Sequence, residues 1–220
     1  MRSHCIRCGA CCSTASPTLH PEDLDILQQE VIAFRDLFTL RKGEMVHDNV
    51  RGLLITLPEE MIKVKTDASG ACRFYNSRDK ACGIYDHRPI QCREQACWDT
   101  QALERRNRTP RITRKELLTA YPSLIRLIES HENRFGLSQL EECVRSLRSV
   151  EDGTAQPLMD LLKYDYAFRA FVRDKMGIPF DETDFLFGRP LMDLLRMHGL
   201  TTETNEEGAY VVRPLRARAR

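Results

Sequence analysis

Cysteine is the residue that most constrains what this chain can fold into. The sequence of 220 residues contains nine cysteines, and most of them lie in two clusters, one from Cys5 to Cys12 and one from Cys72 to Cys97. The remaining cysteine, Cys143, stands alone. Clustered thiols are typical of disulfide frameworks, metal sites or redox centres. Which of these three the cysteines form decides what joins the two cysteine clusters.

The start of the sequence favours a reducing compartment. The first residues read MRSHC, and because no apolar segment precedes the first cysteine, we expect no secretory signal and a cytoplasmic protein. The longest apolar runs, such as residues 53–57, are much shorter than the roughly 20 residues that cross a bilayer, so we expect no membrane association. Clustered thiols in the cytoplasm usually serve metals or redox chemistry. A disulfide framework is therefore disfavoured.

The net charge excludes a strong general attraction to polyanions. The chain has 33 basic and 32 acidic side chains, a formal charge of +1, so we expect no nucleic-acid partner. The arginine-rich segment 213–220 is expected to be a solvated tail. The expected partners are metal ions and an unidentified protein.

The pattern of apolar and turn-forming residues predicts an α+β protein that is predominantly α-helical. Proline and acids at Pro21–Asp23 favour a helix start, and apolar residues at helical spacing predict about four turns, up to Phe38. Residues 53–57 and 61–65 are β-type runs separated by a proline, and they predict a small hairpin or sheet. Residues 67–89 are rich in turn formers.

The second half of the chain is predicted to be helical. Amphipathic stretches bounded by glycine, proline or capping residues lie at 114–135, 137–150, 157–176 and 183–198. A closing hairpin is expected at 200–213. We therefore expect a cysteine-rich metal-binding N-terminal domain with a small β-element, residues 1–108, and a helical C-terminal region, residues 109–220. The two either stand apart or pack as one unit.

The first cysteine cluster has the spacing of a metal-binding loop. Cys5 and Cys8 form a C-x-x-C pair, and Cys8 and Cys11 repeat it. This spacing lets two thiolates converge on one metal while the intervening amides turn toward sulfur. Adjacent residues of an extended segment point to opposite sides, so Cys11 and Cys12 are hard to place on one tetrahedral ion. Two sites, or one polynuclear cluster, are expected.

Comparison with known cysteine spacings does not decide between an iron–sulfur cluster and zinc. The bacterial ferredoxin run matches the first three cysteines, but the fourth follows at once and has no proline after it. A zinc ribbon requires a second C-x-x-C, which the cluster at 72–97 lacks. The radical-SAM spacing requires one more residue between Cys5 and Cys8. None of these simple identities fits.

Arginines accompany the cysteines. Eight thiolates around two zinc ions, or around two four-iron clusters, leave a net charge of about −4. Nearby arginines can stabilise this charge and donate hydrogen bonds to sulfur. Candidates within a few residues of a cysteine are Arg7, Arg73, Arg78, Arg88 and Arg93.

Two strings carry a family resemblance. CIRCGACC at residues 5–12 and CGIYDHRPIQCR at residues 82–93 resemble the CxxCxxCC and C-x-I-Y-x-x-R-P-x-x-C-R boxes of the YkgJ-type cysteine-cluster family. The resemblance covers roughly residues 5–97 and implies a zinc- or iron-chelating domain. One departure follows Arg93, where the family often has an aromatic–proline pair and this chain has the sequence EQAC, ending at Cys97.

The expected function is metal binding through eight thiolates, with an iron–sulfur cluster or iron as the cofactor, zinc as the alternative, and a redox or accessory role. The candidate ligands are Cys5, Cys8, Cys11, Cys12, Cys72, Cys82, Cys92 and Cys97. A zinc-stabilised interaction module stays open. So does a metal-dependent, methyltransferase-like enzyme, since some relatives are associated with flagellin lysine methylation. The sequence shows no nucleophile–base pair or nucleotide loop, and whether the protein is an enzyme is left undecided.

Smaller alternatives concern individual residues. The pair Cys5 and Cys8 can also cycle as a redox dithiol. A histidine can replace a cysteine as a ligand, and the candidates near the clusters are His4, His20 and His87. Cys143 lies on a helical pattern and is expected to be a structural cysteine.

Overall fold

A computed structural model describes the chain as an α+β fold with small two-stranded antiparallel sheets and a larger helical part. It describes residues 5, 7–48, 52–96, 98–99, 101–149, 155–204 and 210–215. Within these ranges no helix combines the length and the apolar character needed to cross a membrane. Cys97, His4, the tip of the closing hairpin and the end of the arginine-rich tail lie outside the described residues.

The long helix expected from Pro21 to Phe38 was wrong. Residues Pro21–Asp23 form a 3-10 turn, helix α1 spans only Leu24–Gln28, and a second 3-10 turn, Phe34–Asp36, leads into a strand. The chain leaves the helix at Glu30, whose φ of 55° is left-handed. The carboxylate of Asp36 then accepts a hydrogen bond from the Ala33 amide. The apolar side chains of this segment reach the core from turns instead of from one helical face.

The N-terminal strands pair in two separate antiparallel sheets. The runs expected at 53–57 and 61–65 are strands, but they do not pair with each other as the predicted hairpin requires. Residues 61–64 pair with a strand at 37–40, and residues 53–56 pair with a strand at 45–48. The reason is burial: the 61–64 strand alternates buried and half-buried side chains, whereas the 53–56 strand is mostly exposed. The strands are β1 Leu37–Leu40, β2 Met45–Asp48, β3 Leu53–Thr56 and β4 Met61–Val64, paired β1–β4 and β2–β3.

Two very short strands and two short helices follow, in the region of the second cysteine cluster. Strands β5 and β6 form a small hairpin. A 3-10 turn at Tyr85–His87 leads into the first helix. The elements are β5 Tyr75–Asn76, β6 Ala81–Cys82, α2 Ile90–Glu94 and α3 Gln101–Arg106.

The helical second half is confirmed, with two breaks. The stretch 114–135 divides at Pro122, which starts a new helix, and the stretch 183–198 divides at Gly188, whose φ of 76° ends a helix. The hairpin expected at 200–213 is present. The elements are α4 Arg114–Leu117, α5 Pro122–Arg134, α6 Leu137–Ser149, α7 Gln156–Met176, α8 Thr183–Phe187, α9 Leu191–Leu194, β7 Leu200–Thr204 and β8 Tyr210–Pro214.

Both halves of the chain contribute to one hydrophobic core. Leu19, Leu37 and Ile62 from the first half pack in the same cluster as Ile112 and Phe185 from the second. A second cluster joins α6, α7, α9 and β7. The half-buried Cys143 packs against this second cluster, which agrees with a structural role. The division of the chain at residue 108 stays a prediction.

A buried polar network centres on Asp165 of α7. Its carboxylate accepts hydrogen bonds from His131 Nε2 at 2.7 Å, from Arg169 Nε at 3.2 Å and from the Leu191 amide at 3.0 Å. His131 and Arg169 are fully buried. Burial alone raises the pKa of Asp165, but the bond from His131 and the charge of Arg169 lower it on balance. The network ties α5, α7 and α9 together.

Removing the charge of Asp165 should destabilise the fold. Asp165→Asn removes the nearer of two carboxylates from the buried Arg169 guanidinium, which keeps an ion pair with Asp184 at 3.6 Å. Breaking a buried pair costs about 3–5 kcal/mol. Chemical denaturation should show the loss as a lower free energy of unfolding. The control is Asp174→Asn on the same helix, because Asp174 is exposed and should leave stability unchanged. Equal stability of both variants would contradict the assigned role.

His131 should make stability depend on pH. Burial, followed by the charges of Arg169 and Arg41, lowers the pKa of His131 although Asp165 acts in the opposite direction. The unfolded chain therefore takes up a proton near pH 6.5, before the folded chain does, and stability falls as the pH drops through that value. His131→Gln should lose less stability between pH 7 and 5 than the native chain, by at most about 1.4 kcal/mol per pH unit.

Denaturation curves at the two pH values measure this difference. An unchanged slope in His131→Gln would show that another group causes the acid sensitivity.

Candidate metal centre

The first cysteine loop is attached to the fold by residues 16–20, which run antiparallel along β4. The Val64 amide donates to the Pro17 carbonyl at 3.0 Å, and the Leu19 amide donates to the Ile62 carbonyl at 2.9 Å. All five residues of this segment are buried. The loop that carries Cys5 to Cys12 therefore ends beside the strand that leads to Cys72.

A direct hydrogen bond joins the two cysteine clusters. The Cys72 amide donates to the Cys12 carbonyl at 2.7 Å. Cys72 also forms a bridge with Thr66, just beyond β4. Backbone contact thus holds residues far apart in sequence side by side.

The β5–β6 hairpin places Cys82 and contacts the first loop through Tyr75. Tyr75 lies opposite Cys82 in the hairpin register. A Cβ added at Gly9 would stand 2.1 Å from Tyr75 Oη, and Gly9 has a φ of 76°. Only glycine fits there, because any side chain meets both the tyrosine and a left-handed backbone.

Helix α2 carries Cys92 and is docked by side chains of the N-terminal segment. The fully buried Asp23 accepts hydrogen bonds from the Ile90 amide at 2.7 Å and the His20 amide at 3.0 Å. Gln91 Oε1 accepts from the Thr18 amide at 2.5 Å. Sequence reasoning assigned Asp23 to the first turn of a helix and missed this role, because the partner amide lies 67 residues away.

The thiols of the two clusters influence one another. The sulfurs of Cys11 and Cys12 lie 3.9 Å apart. A hydrogen bond from the Cys12 thiol lowers the pKa of Cys11 to about 6, and the same interaction raises the pKa of Cys12. Burial, followed by repulsion from neighbouring thiolates, raises the pKa of Cys92 to about 12. The neighbours that repel it are Cys72, Cys11 and Cys82.

The start of the first loop has the hydrogen bonding expected of a C-x-x-C turn. The Arg7 amide donates to Cys5 Sγ at 3.4 Å, aided by a left-handed φ of 57° at Arg7. Cys8 is exposed and Cys5 is half-buried. Every cysteine in the described ranges has a free thiol, whereas Cys97 lies outside those ranges.

The clustered thiols do not form a complete metal coordination shell. In the part of the chain that the structure describes, no three Cys, His, Asp or Glu side chains stand in an arrangement that would hold a metal ion as they are. Among the described residues, the backbones of Cys12 and Cys72 are hydrogen-bonded, and charge on Cys72, Cys11 and Cys82 acts on the pKa of Cys92. Cys5 and Cys8 lie on the same loop as Cys11 and Cys12.

Lysine and arginine supply positive charge around these thiols. Lys63 of β4 donates to the Ser16 carbonyl at 2.7 Å. Burial lowers the pKa of Lys63 to about 8, while negative charge on Cys92 and Cys72 acts to raise it. Sequence reasoning missed Lys63 because alternation in β4 places it on the face opposite the buried Ile62 and Val64.

Three of the five arginines expected near the cysteines contact other side chains. Arg7 and Arg88 both stack on Tyr85. Arg73 forms an ion pair with Asp36 at 2.6 Å.

The histidines considered as substitute ligands differ in position. The ring of His20 is buried, and its Nδ1 lies 3.0 Å from the Pro110 carbonyl oxygen, which gives it a structural partner. His87 is exposed on the 3-10 turn before α2.

Comparison with known proteins matches this region to one family. The family model described as "CxxCxxCC: Putative zinc- or iron-chelating domain" matches residues 4–112. A search of curated proteins and a search of solved structures found no significant match. The matched residues include both cysteine clusters and the segment along β4 that joins them. Through residues 4–112 the chain therefore belongs to the CxxCxxCC family of zinc- or iron-chelating domains.

Proposed function

We propose that the clustered thiols hold iron, as an iron–sulfur cluster or as iron ions, with zinc as the alternative, and that the protein has a redox or accessory role. The observation that carries the proposal is the backbone contact between the two cysteine-bearing stretches, where the Cys72 amide donates to the Cys12 carbonyl. The proposed ligands are Cys5, Cys8, Cys11, Cys12, Cys72, Cys82, Cys92 and Cys97.

The donor chemistry supports this proposal. Thiolates are the ligands of iron–sulfur clusters and structural zinc. Several thiols in one partly buried region oppose one another's ionisation, as the raised pKa of Cys92 illustrates. A bound cation reverses this balance, because it stabilises every nearby thiolate at once.

The β5–β6 hairpin and its neighbouring loops support a structural contribution from the metal. Both strands are two residues long, and their side chains are exposed or half-buried. Such segments bury little apolar surface, so metal binding would supply much of their ordering free energy. A reducing compartment such as the cytoplasm would keep these thiols available for a metal.

Elemental and acid-labile sulfide analysis of anaerobically isolated protein tests the proposal. Iron with equivalent sulfide is expected, together with absorbance near 400 nm; zinc without sulfide would favour a zinc-stabilised interaction module. Cys72→Ser should lower the metal content, because it removes a thiolate from the meeting point of the clusters. Cys143→Ser is the matched control and should keep the native content. Protein that holds no metal under these conditions would refute the proposal.

Gly9→Ala should weaken metal binding without removing any thiol. The added Cβ would clash with the hydroxyl end of Tyr75 and strain the left-handed backbone at Gly9, so the first loop or the Tyr75 ring must shift. We expect metal affinity to fall by about 10- to 100-fold, the range found when groups that orient ligands are lost. Competition with a chelator measures the affinity.

The control is Gly177→Ala. Gly177 has a similar positive φ of 68°, but nothing lies within 4 Å of its added Cβ. It should retain native metal affinity and so separates the clash with Tyr75 from backbone strain alone. Native affinity in Gly9→Ala would mean that the close approach of Gly9 to Tyr75 does not position the loop for metal binding.

A further inference from the structure

Two arginines stack on a single tyrosine between the cysteine clusters. Arg7 Cζ lies 3.8 Å from the centroid of the Tyr85 ring, and Arg88 Cζ lies 3.5 Å from it. Two planar guanidinium groups cannot share one face of a ring at these distances, so they lie on opposite faces. The result is a stack of Arg7, Tyr85 and Arg88.

The stack joins both cysteine clusters. Arg7 lies between Cys5 and Cys8, whereas Tyr85 and Arg88 lie between Cys82 and Cys92. A cation over an aromatic face contributes a directional attraction that a hydrophobic contact lacks.

The three side chains of the stack are partly exposed to solvent and are not part of the hydrophobic core. Arg7 is exposed, and Tyr85 and Arg88 are half-buried. None of the three belongs to the two hydrophobic clusters among the described residues. The 3-10 turn that carries Tyr85 contains no buried residue. Core packing therefore does not account for the arrangement.

The charges of the stack lie beside the thiols. Arg7 directly precedes Cys8. Arg88 precedes Cys92 by four residues and stacks on the same tyrosine as Arg7. The Nε of Arg88 is buried and has no hydrogen-bond acceptor among the described residues. Four thiolates around one divalent ion leave an excess charge of about −2, which two fixed guanidinium groups match.

We propose that the Arg7–Tyr85–Arg88 stack is a latch. Tyr85 acts as a positioning residue that seats the first cysteine loop against the second cluster, and the two guanidinium groups stabilise the negative charge of a metal–thiolate centre there. The proposal rests on the proposed metal-binding function.

Titration of the reduced, metal-free full-length chain with Zn²⁺, in competition with a chelating dye, tests the latch. Tyr85→Leu removes the aromatic face and should weaken Zn²⁺ binding about tenfold, the combined effect of two partly solvated cation–π contacts. Tyr85→Phe keeps the face and should restore native affinity. Tyr164→Leu, at an exposed tyrosine of α7, is the surface control and should have no effect.

A second measurement does not depend on metal. Limited trypsin digestion, followed by intact mass, reports cleavage after Arg7. Because the stack holds this side chain, cleavage should be several-fold faster in Tyr85→Leu than in Tyr85→Phe, with or without metal. If Tyr85→Leu fails to fold, the exposed Arg7→Leu replaces it in the titration and should also weaken binding.

The outcomes separate the two proposals. Native protein that binds Zn²⁺, together with equal affinities and cleavage rates for the Leu and Phe variants, overturns the latch and leaves metal binding intact. Native protein that binds no Zn²⁺ in the titration and holds no iron after anaerobic isolation overturns both. Weaker binding in Tyr85→Leu with rescue in Tyr85→Phe supports the latch.

Discussion

The antiparallel run of residues 16–20 along β4 is the interaction on which the rest of the cysteine-rich region depends. The Leu19 amide donates to the Ile62 carbonyl, and the Val64 amide donates to the Pro17 carbonyl. These backbone hydrogen bonds lie in a buried segment, where water does not compete with them, and they fix the register of the segment on β4. This register sets the end of the first cysteine loop beside Cys72. The contacts of Tyr75 with Gly9 and of Tyr85 with Arg7 follow from that placement.

Electrostatics give the region its chemical character. Thiols from both clusters raise or lower one another's pKa, and positive side chains of Lys63 and Arg88 stand close to them. Without a metal, burial raises the pKa of Cys72 and Cys92 and so disfavours their thiolates. A bound cation would displace the thiol protons and take the sulfurs as ligands. It stabilises every nearby thiolate at once, so thiolates that repel one another in the free protein can lie together around it.

The helical half supplies a rigid platform for this region. Phe185 and Ile112 pack with Leu19 and Ile62 in one core, so the segment that carries the first cysteine loop rests on side chains from the far end of the chain. The hydrogen bonds around Asp165 connect three helices of that platform, in addition to their apolar packing. Loss of the helical half would therefore remove the support of the cysteine loop as well.

The sequence alone determined the chemistry and the helical half, because both depend on local patterns. The C-x-x-C spacing places thiols within a few residues, and the apolar period of α7 with Gly177 after it predicts Gln156–Met176 closely. Residues 21–38 show the limit of such reasoning. Helical spacing of apolar residues cannot reveal the left-handed turn at Glu30 or the Asp36 hydrogen bond that end the helix early.

Only the tertiary structure decided how the clusters meet. The pairing of residues 16–20 with β4, the docking of α2 by Asp23 and the stacking of Arg7 on Tyr85 each join residues more than 40 positions apart. A local pattern constrains its own segment but carries no information about which distant surface will bury it. The sequence therefore determined which atoms are suited to bind a metal, and the three-dimensional packing decided which of them come together.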